Sequence, residues 1–216
     1  MHFLSEDLER YAEQHSQQEP PLLAALTRET HLRILQPRML SGHLQGRFLS
    51  LLSRLLAPTY IVEIGTFTGY ATLCLAEGLM PSGRLHTIEA NEEYEEIQNK
   101  YFGQSPYREQ IIQHFAPALE VLPTLPDGID IVFIDADKKN YLNYFEVVLP
   151  KMRSGGVILS DNVLWSGKVV EPVKDNDKHT QILMEYNKRL ATDPRLETVL
   201  LPIRDGLTLS IVKNEK

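Results

Sequence analysis

The stretch YIVEIGTFTGY, residues 60–70, reads as a strand that runs into a glycine turn and leaves it as a helix. Residues 60–64 are aromatic or β-branched apart from Glu63; Gly65 and Gly69 allow a sharp turn and close approach to a ligand. A helix is expected from about Tyr70, with its N-terminus beside the same turn. Further β-rich runs at 85–88, 110–113, 131–134 and 157–159 alternate with helical stretches. That alternation predicts βαβ units and a parallel sheet with helices on both faces, its strands' C-terminal ends sharing one edge. Before this region the pattern is helical, with Leu44, Phe48, Leu51, Leu52, Leu55 and Leu56 recurring at the spacing of one helix face until Pro58. Near the end, a helix containing Ile182, Leu183, Tyr186 and Leu190 stops at Asp193-Pro194. Residues 196–201 and 207–212 then flank PIRDG, which predicts an antiparallel strand pair at one edge of the sheet.

At 216 residues, one domain over 1–216 is expected, made of a helical segment 1–58 and an α/β core 59–216. Apolar residues make up 43% and charged residues 24%, the balance of a globular protein, and no apolar run approaches the roughly 20 residues that span a bilayer. The first residues, MHFLSEDLERYAEQ, carry acids and no continuous apolar region, so no secretory signal is read. The single cysteine, Cys74, excludes an internal disulfide and suits a reducing compartment, so the cytoplasm is the expected location. A net charge of −7 opposes general attraction to nucleic acid or anionic membrane. One segment departs from this: residues 28–54 hold Arg28, Arg33, Arg38, Arg47 and Arg54 against Glu29 alone, which reads as solvated helix faces or as a basic patch.

Ligands of doubly wound sheets bind beyond the carboxyl ends of the strands, and here those ends are polar. The first leads into the glycine turn, which is not Gly-x-Gly-x-x-Gly. The second ends at Glu89, 24 residues after Gly65, where an acid can accept hydrogen bonds from ribose hydroxyls. Together these features favour a nucleoside ligand. The fourth strand ends at Asp135 and Asp137, the fifth at Asp161 and Asn162. Adjacent strand ends would gather Asp135, Asp161 and Asn162, an oxygen donor set with two negative charges that suits a hard cation, Mg2+ first and Mn2+ or Ca2+ as alternatives. None of the seven histidines pairs at helical spacing with another, so zinc is not favoured. Taken singly, each acid also reads as a helix or turn cap.

In order and spacing, VEIGTFTGY, TIEAN, FIDADKKNYLNYF, GGVILSDNVLWSG and LPIRDGLTLS resemble the cation-dependent class I O-methyltransferases, the caffeoyl-CoA and catechol O-methyltransferase-like enzymes, in their bacterial form. The likeness covers about residues 36–212. It implies a Rossmann-like, mostly parallel seven-stranded sheet with an antiparallel last strand, and S-adenosylmethionine (SAM) as methyl donor. It also implies a homodimer. Carried onto this chain, Asp135, Asp161 and Asn162 fall on metal ligands; Ser41, Glu63, Gly65, Ala71, Ala118 and Asp137 on SAM contacts; and Glu89 on the ribose acid. Lys138 falls on the proposed general base of the catechol enzymes. Two departures stand out: Ala71 replaces a common serine, and Ser166 replaces the asparagine that plant caffeoyl-CoA enzymes use near their substrate.

The chemistry agrees with the resemblance. A phenolic hydroxyl ionises near pH ~10 and is a poor neutral nucleophile, and a dication favours its anion. Asp135 would hold the cation and Lys138 would take the proton, as lysine can and arginine cannot; otherwise Lys138 is a lysine balancing Asp137. Trp165 is placed to wall an aromatic acceptor beside Ser166, or else is a core tryptophan. The expected reaction is methyl transfer to a catechol-like or hydroxycinnamoyl small molecule. Hydroxylated uridine in tRNA is the alternative acceptor, and a nicotinamide-dependent dehydrogenase is an alternative that leaves the acidic cluster unexplained.

Overall fold

The computed structural model describes residues 5–214. The chain forms two compact units, Ser5–Pro117 and the residues from Ala118 onward.

The first unit begins with three helices. Helix α1 (Glu6–Gln14) is capped by the Ser5 hydroxyl, which accepts from the Leu8 N–H. Helix α2 (Pro21–Arg33) starts on proline, which has no N–H to leave unpaired at a helix start. Helix α3 (His43–Leu56) ends just before Pro58. Then come β1 (Tyr60–Ile64), α4 (Tyr70–Ala76), β2 (Arg84–Glu89), α5 (Glu95–Gln104) and β3 (Ile111–Phe115). The strands are parallel and ordered β3-β2-β1, with Val62 opposite His86 and Thr87 opposite Gln113.

The α3 stripe is not the buried face of the helix: Leu44, Phe48, Leu52 and Leu56 are half-buried. Leu51 and Leu55 are 59% and 84% exposed, while the buried face is Gln45, Gly46, Arg47, Leu49, Ser50 and Ser53. The cause lies in α4, against which α3 packs closely: a Cβ at Gly46 would stand 2.5 Å from the Tyr70 ring. At Gly46 only glycine fits, and around Leu49 the arginine and serines of this face are held by hydrogen bonds. Arg47 donates to Glu77 Oε1 at 2.7 Å with both side chains 8% exposed, and Glu77 Oε2 also accepts from Ser50 at 2.6 Å and Arg54 at 2.7 Å. A buried ion is tolerable only while its counter-charge and hydrogen bonds are present. Glu77→Ala, which strands the Arg47 guanidinium, is therefore expected to destabilise the protein by about 3 kcal/mol. A urea unfolding series against wild type measures it, and a loss below about 1 kcal/mol would mean water reaches Arg47.

The second unit holds α6 (Ala118–Val121), β4 (Ile129–Ile134), α7 (Tyr141–Val148), β5 (Met152–Asp161), α8 (Lys178–Thr192), β6 (Leu196–Leu201) and β7 (Leu207–Val212). Its strands run β4-β5-β7-β6; β4 and β5 are parallel, and β7 is antiparallel to both β5 and β6. The whole is a seven-stranded sheet of order β3-β2-β1-β4-β5-β7-β6, the Rossmann-like arrangement with a reversed last strand that the sequence predicts. Strand β4 is buried at every residue, and its one charged side chain, Asp130, is paired with Arg153. Strand β5 starts five residues before the predicted 157, through Arg153-Ser154-Gly155-Gly156, with a register shift opposite β4 between Ile129 and Ile131. Gly155 and Gly156 thus lie at an irregularity inside the strand. Helix α8 is capped by Asp177, which accepts from the Thr180 N–H at 3.2 Å, and it ends before Asp193-Pro194 as expected.

Candidate active site

In the first unit, four of the predicted SAM contacts, Glu63, Gly65, Ala71 and Glu89, lie in or beside the turn after β1 and at the end of β2, and the fifth, Ser41, lies before α3. Gly65 (φ 97°) donates its N–H to the Ile88 carbonyl at 2.9 Å, and Gly69 (φ 92°) donates to Thr66 at 2.9 Å. Side chains other than glycine rarely adopt such φ, and a Cβ at Gly69 would also stand 2.4 Å from Phe102. Ala71 lies buried in the first turn of α4, and Ser41 is buried just before α3. Glu63 has no exposed surface; its Oε2 accepts from the Thr87 hydroxyl at 2.6 Å and from Thr72, while Thr66 bonds Thr87 in turn at 2.5 Å. It braces the turn from behind. Glu89 is half-buried at the end of β2, with Oε2 accepting from the Phe67 N–H at 2.8 Å and Oε1 from the Asn91 N–H at 2.9 Å. A carboxylate has about four acceptor positions, so two remain for ribose hydroxyls.

In the second unit, Ala118 opens α6 and is 9% exposed. The ends of β4 and β5 bring together Asp135, Asp161 and Asn162. Asp161 is 1% exposed and its Oδ1 accepts from the Asn162 N–H at 2.7 Å, while Asn162 is held at φ 58°. Burial, and then the neighbouring Asp161 charge, push the Asp135 carboxyl up to about 6, against the opposing pull of Lys138 and Arg204. Lys138, 8% exposed, donates from Nζ to Asn162 Oδ1 at 3.0 Å and lies 3.6 Å from Asp135 Oδ1. An ammonium thus stands against two of the three oxygens predicted to bind a cation. The buried Asp161, the partly buried Asp135 and the Asn162 amide oxygen form a donor set that suits a hard dication, and the Lys138 ammonium meets their charge in its place. Among the described residues no cluster of three His, Cys, Asp or Glu suits a metal, because the third donor here is an amide.

Three features of this unit were not picked out from the sequence. Tyr141, fully buried, accepts from Lys138 Nζ and donates to the Asp161 carbonyl at 2.8 Å, and burial raises its phenol well above the usual range. Its spacing from Lys138, one helical turn, is the signal that would have found it. Asn187 on α8 donates to the Val163 carbonyl at 2.8 Å, and Asp205 in the turn before β7 accepts from the Ser166 N–H. Both tie down the loop after Asn162, whose Trp165 and Ser166 have φ 50° and 55°. Trp165 is half-buried and edge-on to His179, with ring centres 6.2 Å apart; Ser166 is exposed. Asp137 is 44% exposed and accepts from Asn140 Nδ2 at 2.7 Å and from the Tyr144 hydroxyl.

The arginine-rich segment is mostly neutralised. Arg33 binds Glu29 at 2.7 Å and Glu96 at 3.3 Å, and Arg47 and Arg54 share Glu77. Among the described residues, Arg28 and Arg38 alone of the five are exposed without an ion pair. No described helix is long and apolar enough to cross a membrane.

The O-methyltransferase family model matches residues 13–213. Caffeoyl-CoA O-methyltransferase 1 of Eucalyptus globulus is 37% identical over 76% of this chain and 71% of its own length. Caffeoyl-CoA O-methyltransferase 2 of Petunia hybrida is 38% identical over 76% and 73%. Among solved structures, an O-methyltransferase from Bacillus cereus in complex with S-adenosylhomocysteine (SAH) is 30% identical, with TM-score 0.88 and 96% and 97% of the two chains covered. The O-methyltransferase TomG of Streptomyces achromogenes, involved in tomaymycin synthesis and in complex with SAM, is 30% identical, with TM-score 0.87 and 96% of each chain covered.

Proposed function

Because this chain belongs to the O-methyltransferase family and is a SAM-dependent O-methyltransferase, we propose that it methylates a hydroxyl of a catechol-like or hydroxycinnamoyl small molecule, with a divalent cation. The family match sets aside the nicotinamide-dependent alternative. The observation that carries the proposal is the pairing of Asp135 and Asp161 with the Asn162 amide oxygen around the Lys138 ammonium.

Asp135, Asp161 and Asn162 would hold the cation, Mg2+ before Mn2+ or Ca2+. Bound there, it supplies Lewis acidity that favours the ionised form of an acceptor hydroxyl. Lys138 would receive the acceptor's proton as the neutral amine, the cation then balancing Asp135 in place of the ammonium; its Nζ lies beside Asp135 and Asn162, and Tyr141 fixes where that nitrogen points. Trp165 and Ser166 line the acceptor side. Ser166 lacks the amide that plant enzymes offer, so caffeoyl-CoA itself is not the favoured acceptor. For SAM, the proposed contacts are Ser41, Gly65, Ala71, Ala118 and Asp137, with Glu89 taking the ribose hydroxyls and Glu63 bracing the turn from behind. Ala71 offers no hydroxyl to the methionine end.

Three of the five arginines are held by glutamates, which counts against the basic segment as a landing patch for tRNA. A homodimer is proposed with the exposed Leu51 and Leu55 face of α3 as the surface it covers. The cytoplasm is the proposed location, supported by one buried thiol, Cys74. Methyl transfer from labelled SAM to catechols, hydroxycinnamoyl esters and hydroxylated tRNA, with and without EDTA, tests the proposal. Incorporation into a small phenolic acceptor that EDTA abolishes is expected; incorporation into tRNA alone would overturn the small-molecule assignment.

A further inference from the structure

We infer that Gln98 on α5 is a positioning residue for SAM: it holds the Phe67 peptide that couples the glycine turn to Glu89. The inference rests on the reading that this turn and Glu89 bind SAM. Phe67 has φ 50°, a left-handed conformation that a side chain with a Cβ adopts only when its surroundings impose it. Two hydrogen bonds impose it here. Its N–H donates to Glu89 Oε2 at 2.8 Å, and its carbonyl accepts from Gln98 Nε2 at 2.7 Å.

Gln98 is fully buried on the face of α5 that also carries Ile97, Tyr101 and Phe102. An apolar side chain would meet the packing need at that position, and a buried amide is tolerated only when its hydrogen bonds are made. Gln113 on β3 makes the second one, donating from Nε2 to Gln98 Oε1 at 3.0 Å. With its oxygen so occupied, the Gln98 amide presents its N–H to Phe67. The relay Gln113, Gln98, Phe67, Glu89 thus runs from β3 through α5 to the ribose acid. Since Glu89 is oriented by the Phe67 N–H, a rotation of that peptide displaces both the turn and the carboxylate. Phe67 also packs edge-on against Tyr94, with ring centres 5.0 Å apart, and that contact would shift with it.

Gln98→Met keeps the volume and removes the donor. Titration calorimetry with SAH is expected to show Kd raised about tenfold, the loss of roughly one oriented hydrogen bond. With an acceptor that the enzyme methylates, KM for SAM rises by a similar factor while kcat stays within about twofold. Gln113→Met moves SAH affinity in the same direction by less, and the double variant is no weaker than Gln98→Met because both act through one peptide. Should Gln98→Met fail to fold, Gln113→Met, at the less buried end, carries the same readout. A Gln98→Met protein that melts lower yet binds SAH with wild-type affinity would reduce Gln98 to core packing and overturn the inference alone. Wild-type protein that binds no SAH would overturn the site reading and the inference with it.

Discussion

Asp161→Ala is expected to lower methyl transfer about a thousandfold, and EDTA to do the same to the wild-type protein. Asp161 is almost completely buried at the end of β5, and its carboxylate is one of the two charges that make the Asp135, Asp161, Asn162 group attractive to a cation. Without it the group keeps one carboxylate, and Lys138 neutralises that alone. The effect on stability should run the other way. Asp161 raises the Asp135 pKa by like-charge repulsion, so removing it relieves the metal-free protein. Thermal unfolding with and without Mg2+ checks this: wild type should melt higher with the ion, by the linkage of binding to folding, and Asp161→Ala should not respond. EDTA-insensitive transfer together with an active Asp161→Ala protein would remove the cation from the mechanism.

Lys138→Met should lower kcat by about 10^2 to 10^4, the usual worth of a positioned proton acceptor, with little change in KM for SAM. Methionine keeps the apolar stem in its buried slot, so the loss reports the nitrogen rather than packing. Lys138→Arg should not restore activity, since a guanidinium holds its proton at any working pH and its planar fork does not fit the site of a single ammonium held by Tyr141 and Asn162. If Lys138→Met keeps more than about a tenth of kcat, Lys138 is a counter-charge to Asp135 and the proton goes elsewhere.

The strands were legible where the local pattern was unambiguous. Residues 60–64, 196–201 and 207–212 match β1, β6 and β7 residue for residue. Strand β5 extends beyond the predicted 157–159 to Met152–Asp161, and only its pairing with β4 shows the ladder running through the irregularity at the glycines. Asp135, Asp161 and Asn162 could be placed together in advance, since parallel strands emerge at one edge and both runs ended in oxygen donors. Tyr141, Gln98 and Asp205 were missed. Tyrosine, glutamine and a turn aspartate are common, and what singles these out is the atom each one meets: Lys138 Nζ, the Phe67 carbonyl and the Ser166 N–H.

Helix α3 marks the limit of sequence reading most clearly. Its periodicity announces a helix, because spacing near 3.6 is a local property of the chain. Which side of that helix is buried depends on what α4 presents, and α4 presents Tyr70, Cys74 and the nearby Glu77, which draw Gly46, Ser50 and Arg47 to the buried face beside Leu49. By itself, then, the sequence determined the order of elements, the sheet's polarity and the acids at its strand ends, all carried by short-range pattern. Tertiary structure alone decided which arginines are neutralised, which helix face is left to solvent and which side chains hold the site residues in place, because each depends on partners that are distant in sequence and chosen by packing and charge pairing.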